Sequence, residues 1–258
     1  DPLWSRGLGD VYKRQYNDSA QNTRDIGLFF NADYEVAPGL TLIGGARYNK
    51  SKRSFEGCTH DFGGDTAVWW NAIFGTSVPE GGCITFDPTF TPYDPSLKDN
   101  LNEDNLSWNV GVNYKTGGGT LLYTRVAKGY KAGSFPTASV ASYTGYAPVK
   151  QESVLSYEAG FKAPIADRKL ELTAAVFYYD YKDKQLRGRL PDPVFGTLDG
   201  LVQVPTSRLW GLEGSLLARP VDGLTLSLGG TYIDTKVKKF EGYNLSLIHI
   251  SEPTRPER

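Results

Sequence analysis

Over long stretches of this chain apolar and polar residues take turns with a period of two, which commits those stretches to half-buried β-strands. From Ile26, residues Ile26, Leu28, Phe30, Ala32, Tyr34 and Val36 fall on one face, and Gly27, Phe29, Asn31, Asp33 and Glu35 on the other. Ala37-Pro38-Gly39 then makes a tight turn, because proline presets φ and glycine tolerates positive φ. Leu40, Leu42, Gly44, Ala46 and Tyr48 resume the apolar face on a returning strand. The same unit recurs at Leu106–Tyr114, Leu121–Tyr130, Val154–Lys162, Leu170–Tyr178, Trp210–Ala218 and Leu224–Tyr232. On the least regular of these, Leu122, Thr124 and Val126 are expected outward and Arg125 inward. Eight strands in four hairpins follow.

The connections narrow the architecture. Turns within a hairpin take three to six residues, whereas about fifty residues separate Lys52 from Asn105, about twenty Lys131 from Ser153, and about twenty-five Lys182 from Thr206. One end of the sheet is therefore plain and the other carries all the long loops. Outer-membrane barrels are built this way, with strands of about 9–11 residues crossing the bilayer. A soluble sandwich would spread its connections over both ends. Hence the expected fold is an all-β, antiparallel, up-and-down transmembrane barrel. Tyr34, Tyr48, Tyr114, Tyr178, Trp210 and Tyr232, near strand ends, suit an aromatic girdle at the headgroup boundary.

Composition excludes several alternatives. No run of eighteen apolar residues exists, so a membrane-spanning helix is not expected, although alternating barrel strands keep average hydropathy low. A net charge of −1 and the lack of a basic stripe argue against nucleic acid as a partner. Both cysteines, Cys58 and Cys83, fall in the longest connection. A disulfide is the preferred reading, since the bacterial cell surface is oxidising. Zinc needs about four ligands, and apart from His249 the only histidine is His60, so neither a metal nor any other cofactor is expected.

The polar face, with Asn31, Asp33, Glu35, Arg47, Glu158, Glu171 and Glu213, should line a wet lumen. Its carboxylates could be imagined as an acid–base couple, but a hydrolase also needs a base beside a nucleophile, and His60 is poorly placed for that. Lys128-Gly129-Tyr130-Lys131-Ala132-Gly133 lacks the spacing and following helix of a phosphate loop, so its glycines are read as a bend out of the wall. Loop aromatics are the better candidates for function: Trp69, Trp70, Phe86 and Tyr93 in the first connection, Tyr143 and Tyr146 in the second, joined by Arg187 and Arg189 in the third. They either stack on and attract a catechol-type, heterocyclic or sugar ligand, or pack into a small core of the loops' own, pinned by Cys58 and Cys83.

Four segments, in order, resemble the TonB-dependent outer-membrane receptors. These are LFFNADYEVAPGLTLIGGARYNKSKRSFEG from Leu28, LLYTRVAKGYKAGSFP from Leu121, VKQESVLSYEAGFKAPIADRKLELTAAVFYYDYKDKQ from Val149 and LWGLEGSLLARPVDGLTLSLGGTYIDTKV from Leu209. The resemblance implies about 8 strands of a 22-stranded barrel whose plug domain is missing here, in a Gram-negative outer membrane. It further implies lipid around the wall, energy from the TonB complex through that plug, and uptake of a bulky nutrient, most simply a ferric siderophore. No enzyme activity is expected; a passive porin-like barrel and an outer-membrane hydrolase are the alternatives.

The termini have a different origin. Ser5–Gln15 can be written in codons whose reverse complement translates as Leu245–Arg255, an eleven-residue in-frame inverted repeat. Residues 1–15 and 245–258 are thus expected to be non-native, adapter-derived segments flanking a receptor portion over 16–244. The absence of methionine agrees with an internal piece. Alone, such a piece should aggregate through its unpaired edge strands.

Overall fold

The computed structural model describes residues 15–137, 141–166, 169–192 and 196–239. Apart from Gln15, which opens the first strand, the two terminal segments expected to be adapter-derived lie outside the described residues. Eight strands form one antiparallel sheet in sequence order: β1 (Gln15–Ala37), β2 (Leu40–Asp61), β3 (Leu97–Lys115), β4 (Leu121–Lys131), β5 (Glu152–Ile165), β6 (Leu170–Asp192), β7 (Gly196–Ala218) and β8 (Leu226–Lys239). It is an up-and-down barrel wall that does not close on itself among the described residues, with β1 and β8 at its edges.

Register explains why the alternation runs so evenly. Tyr34, Leu42, Val112, Thr124, Ala159, Val176, Leu212 and Tyr232 are successive cross-strand partners, one from each strand. The adjacent row reads Glu35, Thr41, Asn113, Tyr123, Gly160, Ala175, Glu213 and Thr231. Slipping one strand by a single residue would exchange these faces, so all seven pairings agree with the period of two, the irregular β4 included. Among the described residues no core lies beneath the apolar face. Val110 and Leu212 sit mid-sheet yet stay 51% and 49% exposed, as expected for a surface whose cover is lipid.

The plain rim is built by short turns after β1, β3, β5 and β7. Gly39 takes φ 77°, and a Cβ there would stand 2.3 Å from the Lys115 carbonyl oxygen, so the first turn admits glycine alone. At the other rim the strands run well past what a bilayer needs. β1 and β6 have 23 residues each, against roughly ten for a crossing. β1–β2 and β6–β7 therefore stand out as two tongues.

Two expectations are corrected here. β2 continues through Asp61, so the first connection is shorter than its sequence suggested. Arg187 and Arg189, expected in a loop, belong to β6, where Arg187 faces Leu201 and Arg189 faces Asp199 across the tongue. Ladder hydrogen bonds hold these residues extended although charge and glycine make the segment look like a loop.

Candidate functional site: the crown

Above the wall, two loops and both tongues condense into a crown. Residues 62–96 form the first loop, with helix α1 (Asp65–Phe74); residues 132–151 form the second, with the single helical turn α2 (Tyr143–Tyr146). Along Lys50–Gly57 of β2 buried and exposed residues still alternate, but here the lumen-side parity is the buried one. Phe55 is 2% exposed and Ser51, Thr59 and Asp61 are buried, while Lys50, Lys52 and Ser54 are exposed. The lumen-side face is covered by the loops.

Phe55 centres the main cluster with Leu97, Phe135 and Tyr146; Tyr93, Leu101 and Tyr143 pack around it. Its ring stacks on Phe135 at 4.8 Å and meets Tyr146 at 5.4 Å. The Tyr146 hydroxyl donates to the Asn17 side-chain oxygen, and the Asn17 amide donates to the Thr137 carbonyl at 3.1 Å. The second loop is thus tied to the inner face of the β1–β2 tongue. Burial raises the Tyr146 phenol above its usual range, and the same cause acts on Tyr93.

The first loop has its own small core of Ala67, Val78 and Ile84 beneath Trp70. Trp70 stacks on Phe86 at 5.6 Å and Phe74 meets Phe86 edge-on at 4.8 Å. Asp61, fully buried, accepts backbone N–H groups of Gly64, Thr66, Ala67 and Gly81 at 2.8–3.2 Å, which fixes the start of α1 at the end of β2. Asp61 donates its own N–H to Gly82, and Ile84 donates to Thr59, so the returning loop takes over the edge of β2 where β3 has ended. A disulfide joins Cys58 to Cys83 there, with Cα atoms 5.8 Å apart. In the tip between Asp87 and Thr91, the Thr89 hydroxyl and backbone N–H groups hold the Asp87 carboxyl below its ordinary range.

Side chains from neighbouring strands close the neck of the second loop. One Glu103 carboxylate oxygen accepts the Gly133 N–H at 2.8 Å and the other the Gln151 N–H at 2.7 Å. Gln185 reaches in from β6 and donates to the Ala132 and Lys150 carbonyls at 3.0 and 2.9 Å.

The crown distributes the candidate ligand residues unequally. Phe86 and Tyr146 are each 1% exposed and support the loops from within. Trp70, Tyr93 and Tyr143 are half-buried against the two clusters. Trp69 is 52% exposed on α1. Arg187 opens into a cleft of about 380 Å³ beside Phe135, Pro136, Thr137 and Leu201, and Arg189 pairs with Asp199 at 3.5 Å. Phe55 and Phe135, the centre of the crown, were not singled out from sequence. Alternation could not have found Phe55, which stands among Lys50–Glu56 on the parity of Arg47 and Asn49 and opposite to that of Leu42 and Tyr48.

Lower down, the concave face holds two clefts with polar side chains in their lining. Asn31, Arg47, Asn109 and Arg125 line one of about 510 Å³. Tyr123, Glu158, Thr173 and Glu213 line the other, of about 840 Å³. Positive charge gathers on the β2–β4 side of the lumen and negative charge on the β5–β7 side. Among the described residues, no group of three or more His, Cys, Asp or Glu side chains is placed to hold a metal ion, and no helix is long and apolar enough to cross a membrane, which says nothing of strands.

Residues 3–250 match the family described as TonB dependent receptor-like, beta-barrel. Solved structures with the same fold include the ferric yersiniabactin uptake receptor FyuA of Yersinia pestis, at 18% identity and TM-score 0.63, covering 86% of this chain and 28% of that one. The siderophore receptor PiuA of Acinetobacter baumannii has 18% identity and TM-score 0.58, covering 86% and 27%. The copper transporter OprC has 15% identity and TM-score 0.58, covering 84% and 30%. The chain therefore spans less than a third of the length of these proteins.

Proposed function

The chain belongs to the TonB-dependent receptor-like β-barrel family, and from that premise we propose that it forms part of the wall and crown of an outer-membrane receptor for energy-coupled uptake of a bulky nutrient, a ferric siderophore first among the candidates. The family is one of transport receptors in the outer membrane of Gram-negative bacteria. One observation carries the reading: a wall with a bare apolar exterior bears, at one rim only, a disulfide-pinned crown rich in aromatic side chains. Lipid covers the first, and solutes arriving from outside meet the second. Trp69, Arg187 and Arg189 offer the ligand a ring and two guanidinium groups at accessible positions, suited to an anionic aromatic chelate. Trp70, Phe86, Tyr93, Tyr143 and Tyr146 hold the two loops together, the first of which presents Trp69, while the β6 strand presents both arginines. Energy reaches the site from the TonB complex through a plug that other parts of the receptor supply.

The test uses the complete receptor in iron-starved cells, with radiolabelled iron offered on a panel of chelates and copper as a second cargo. Uptake of at least one chelate should fall to background when TonB is deleted and weaken severalfold for Arg187→Ala or Trp69→Ala. Uptake that ignores TonB would replace this reading with a passive pore.

A further inference from the structure

We propose that Tyr179 and Tyr181, seated on Phe177, form an aromatic track on the lumen face of β6 that passes a ring-bearing chelate from the crown toward the plain rim. The inference rests on the reading above in one respect, that the complete receptor imports a chelate through its lumen. Register puts the three rings on that face: Phe177 pairs with Glu158 and Gly211, Tyr179 with Ser156 and Leu209, and Tyr181 with Val154 and Ser207. The row through Phe177 also contains Arg125, and Arg125 and Glu158 line the lumen clefts. Among the described residues, no other strand carries three aromatic side chains in succession on this face. Its neighbours are mostly small or polar there, as Ser156, Glu158, Gly211 and Glu213 illustrate.

The rings are graded in depth. Phe177 is 8% exposed and lies over Gly211, where a Cβ would stand 2.6 Å from its ring. Tyr179 stacks on Phe177 with centroids 5.3 Å apart, and Tyr181 meets Tyr179 edge-on at 6.5 Å. Both tyrosines are half-buried. Ring–ring contact reaches over roughly 4.5–7 Å between centroids, so an aromatic group leaving one ring already touches the next. Continuity along the strand supplies the occupant. Above the track β6 carries Lys184, whose Nζ sits 4.8 Å from the Tyr181 ring centroid, and Arg187, which opens into the crown cleft. Below it, Thr173 and Ala175 line the cleft of about 840 Å³ together with Tyr123. One strand therefore links an accessible cationic cleft to a lumen cavity through a row of rings, the order in which an anionic aromatic chelate would meet them. A plug segment seated on the rings is the competing occupant, and the test separates the two.

The complete receptor is expressed in iron-starved cells and offered radiolabelled iron on a tris-catecholate, a phenolate and an aliphatic trihydroxamate chelate. Tyr179→Ala/Tyr181→Ala should slow uptake of the ring-bearing chelates roughly tenfold, the loss of two ring contacts. Their binding to chilled cells, and the rate of trihydroxamate uptake, should stay as in wild type. Tyr179→Phe/Tyr181→Phe, which keeps the rings, should restore the rate. Heat-modifiable mobility on gels verifies that each variant is a folded barrel, and Tyr181→Leu alone, with a severalfold loss, replaces the alanine pair if that pair does not fold. Wild-type rates in the alanine pair, a parallel loss of surface binding, or failure of the phenylalanine pair to restore uptake would each overturn the track. So would equal slowing of all three chelates, the signature of a plug contact, or import of no ring-bearing chelate by wild type. Uptake that ignores TonB yet still slows in the alanine pair would remove the energy coupling proposed above and keep the track, so the two readings fail separately.

Discussion

The wall and the crown use the same strands in opposite ways. In the wall, the apolar face of each strand points outward and stays bare, as Val110 and Leu212 show, while the lumen face carries Asn31, Arg47 and Glu213. In the upper half of β2 the lumen-side face is the buried one, with Phe55 at its centre, and the outer face carries Lys50 and Lys52. The wall is thus finished only by a bilayer, whereas the crown makes its own interior from two loops and a disulfide. A chain can switch between these two solvents within one unbroken strand because the period-two geometry is indifferent to which face is dry.

Several experiments on the complete barrel would break or sharpen that contrast. The largest effect is expected from Phe55→Ala, which empties the crown core at a cost of about 3–5 kcal/mol. Hydrogen exchange should accelerate in residues 132–151 and leave the wall strands protected; loss of protection in both would mean that the two regions are one cooperative unit. Next comes Val110→Arg, which places a charge against lipid near mid-wall and should cost roughly 2–4 kcal/mol in folding titrations into bilayers. Crown exchange rates should not change, and an equal cost in detergent and bilayer would refute the lipid-facing assignment.

Removing the disulfide by Cys58→Ser/Cys83→Ser should lower crown stability by about 2–4 kcal/mol, read as faster proteolysis within residues 62–96. Unchanged cleavage would show that Asp61 and the Trp70–Phe86 stack suffice to hold the first loop. Tyr146→Phe has the smallest expected effect, about 1 kcal/mol for the hydrogen bond to Asn17, and should loosen the second loop without releasing the first. If both loops respond alike, the backbone pairing of Phe86 with Ala141 and Tyr143 couples them more tightly than the separate cores suggest.

The wall was almost wholly legible in the sequence, because pairing demands that every strand keep the same parity across the sheet and a bilayer demands that one parity be apolar. Even Thr124 on the irregular β4 takes its place in a row running from Tyr34 to Tyr232. The plain rim was legible for a related reason, since short turns need residues such as Gly39 that few others can replace. The tongues were less so. Arg187 and Arg189 alternate with Leu186, Gly188 and Leu190, but charge and glycine in a segment beyond the bilayer resemble a solvated loop as readily as a strand.

What the sequence alone determined is therefore which side chains face lipid and which face the lumen, since alternation and hydropathy are local properties repeated at each strand. Only the tertiary structure decided that Tyr146 meets Asn17, that Glu103 clasps both ends of the second loop and that Phe86 is buried while Trp69 is exposed. Those contacts join residues far apart in the chain and obey no period. Nothing in the order of aromatic and charged residues in a loop fixes which of them will fill the core and which will be left for a ligand.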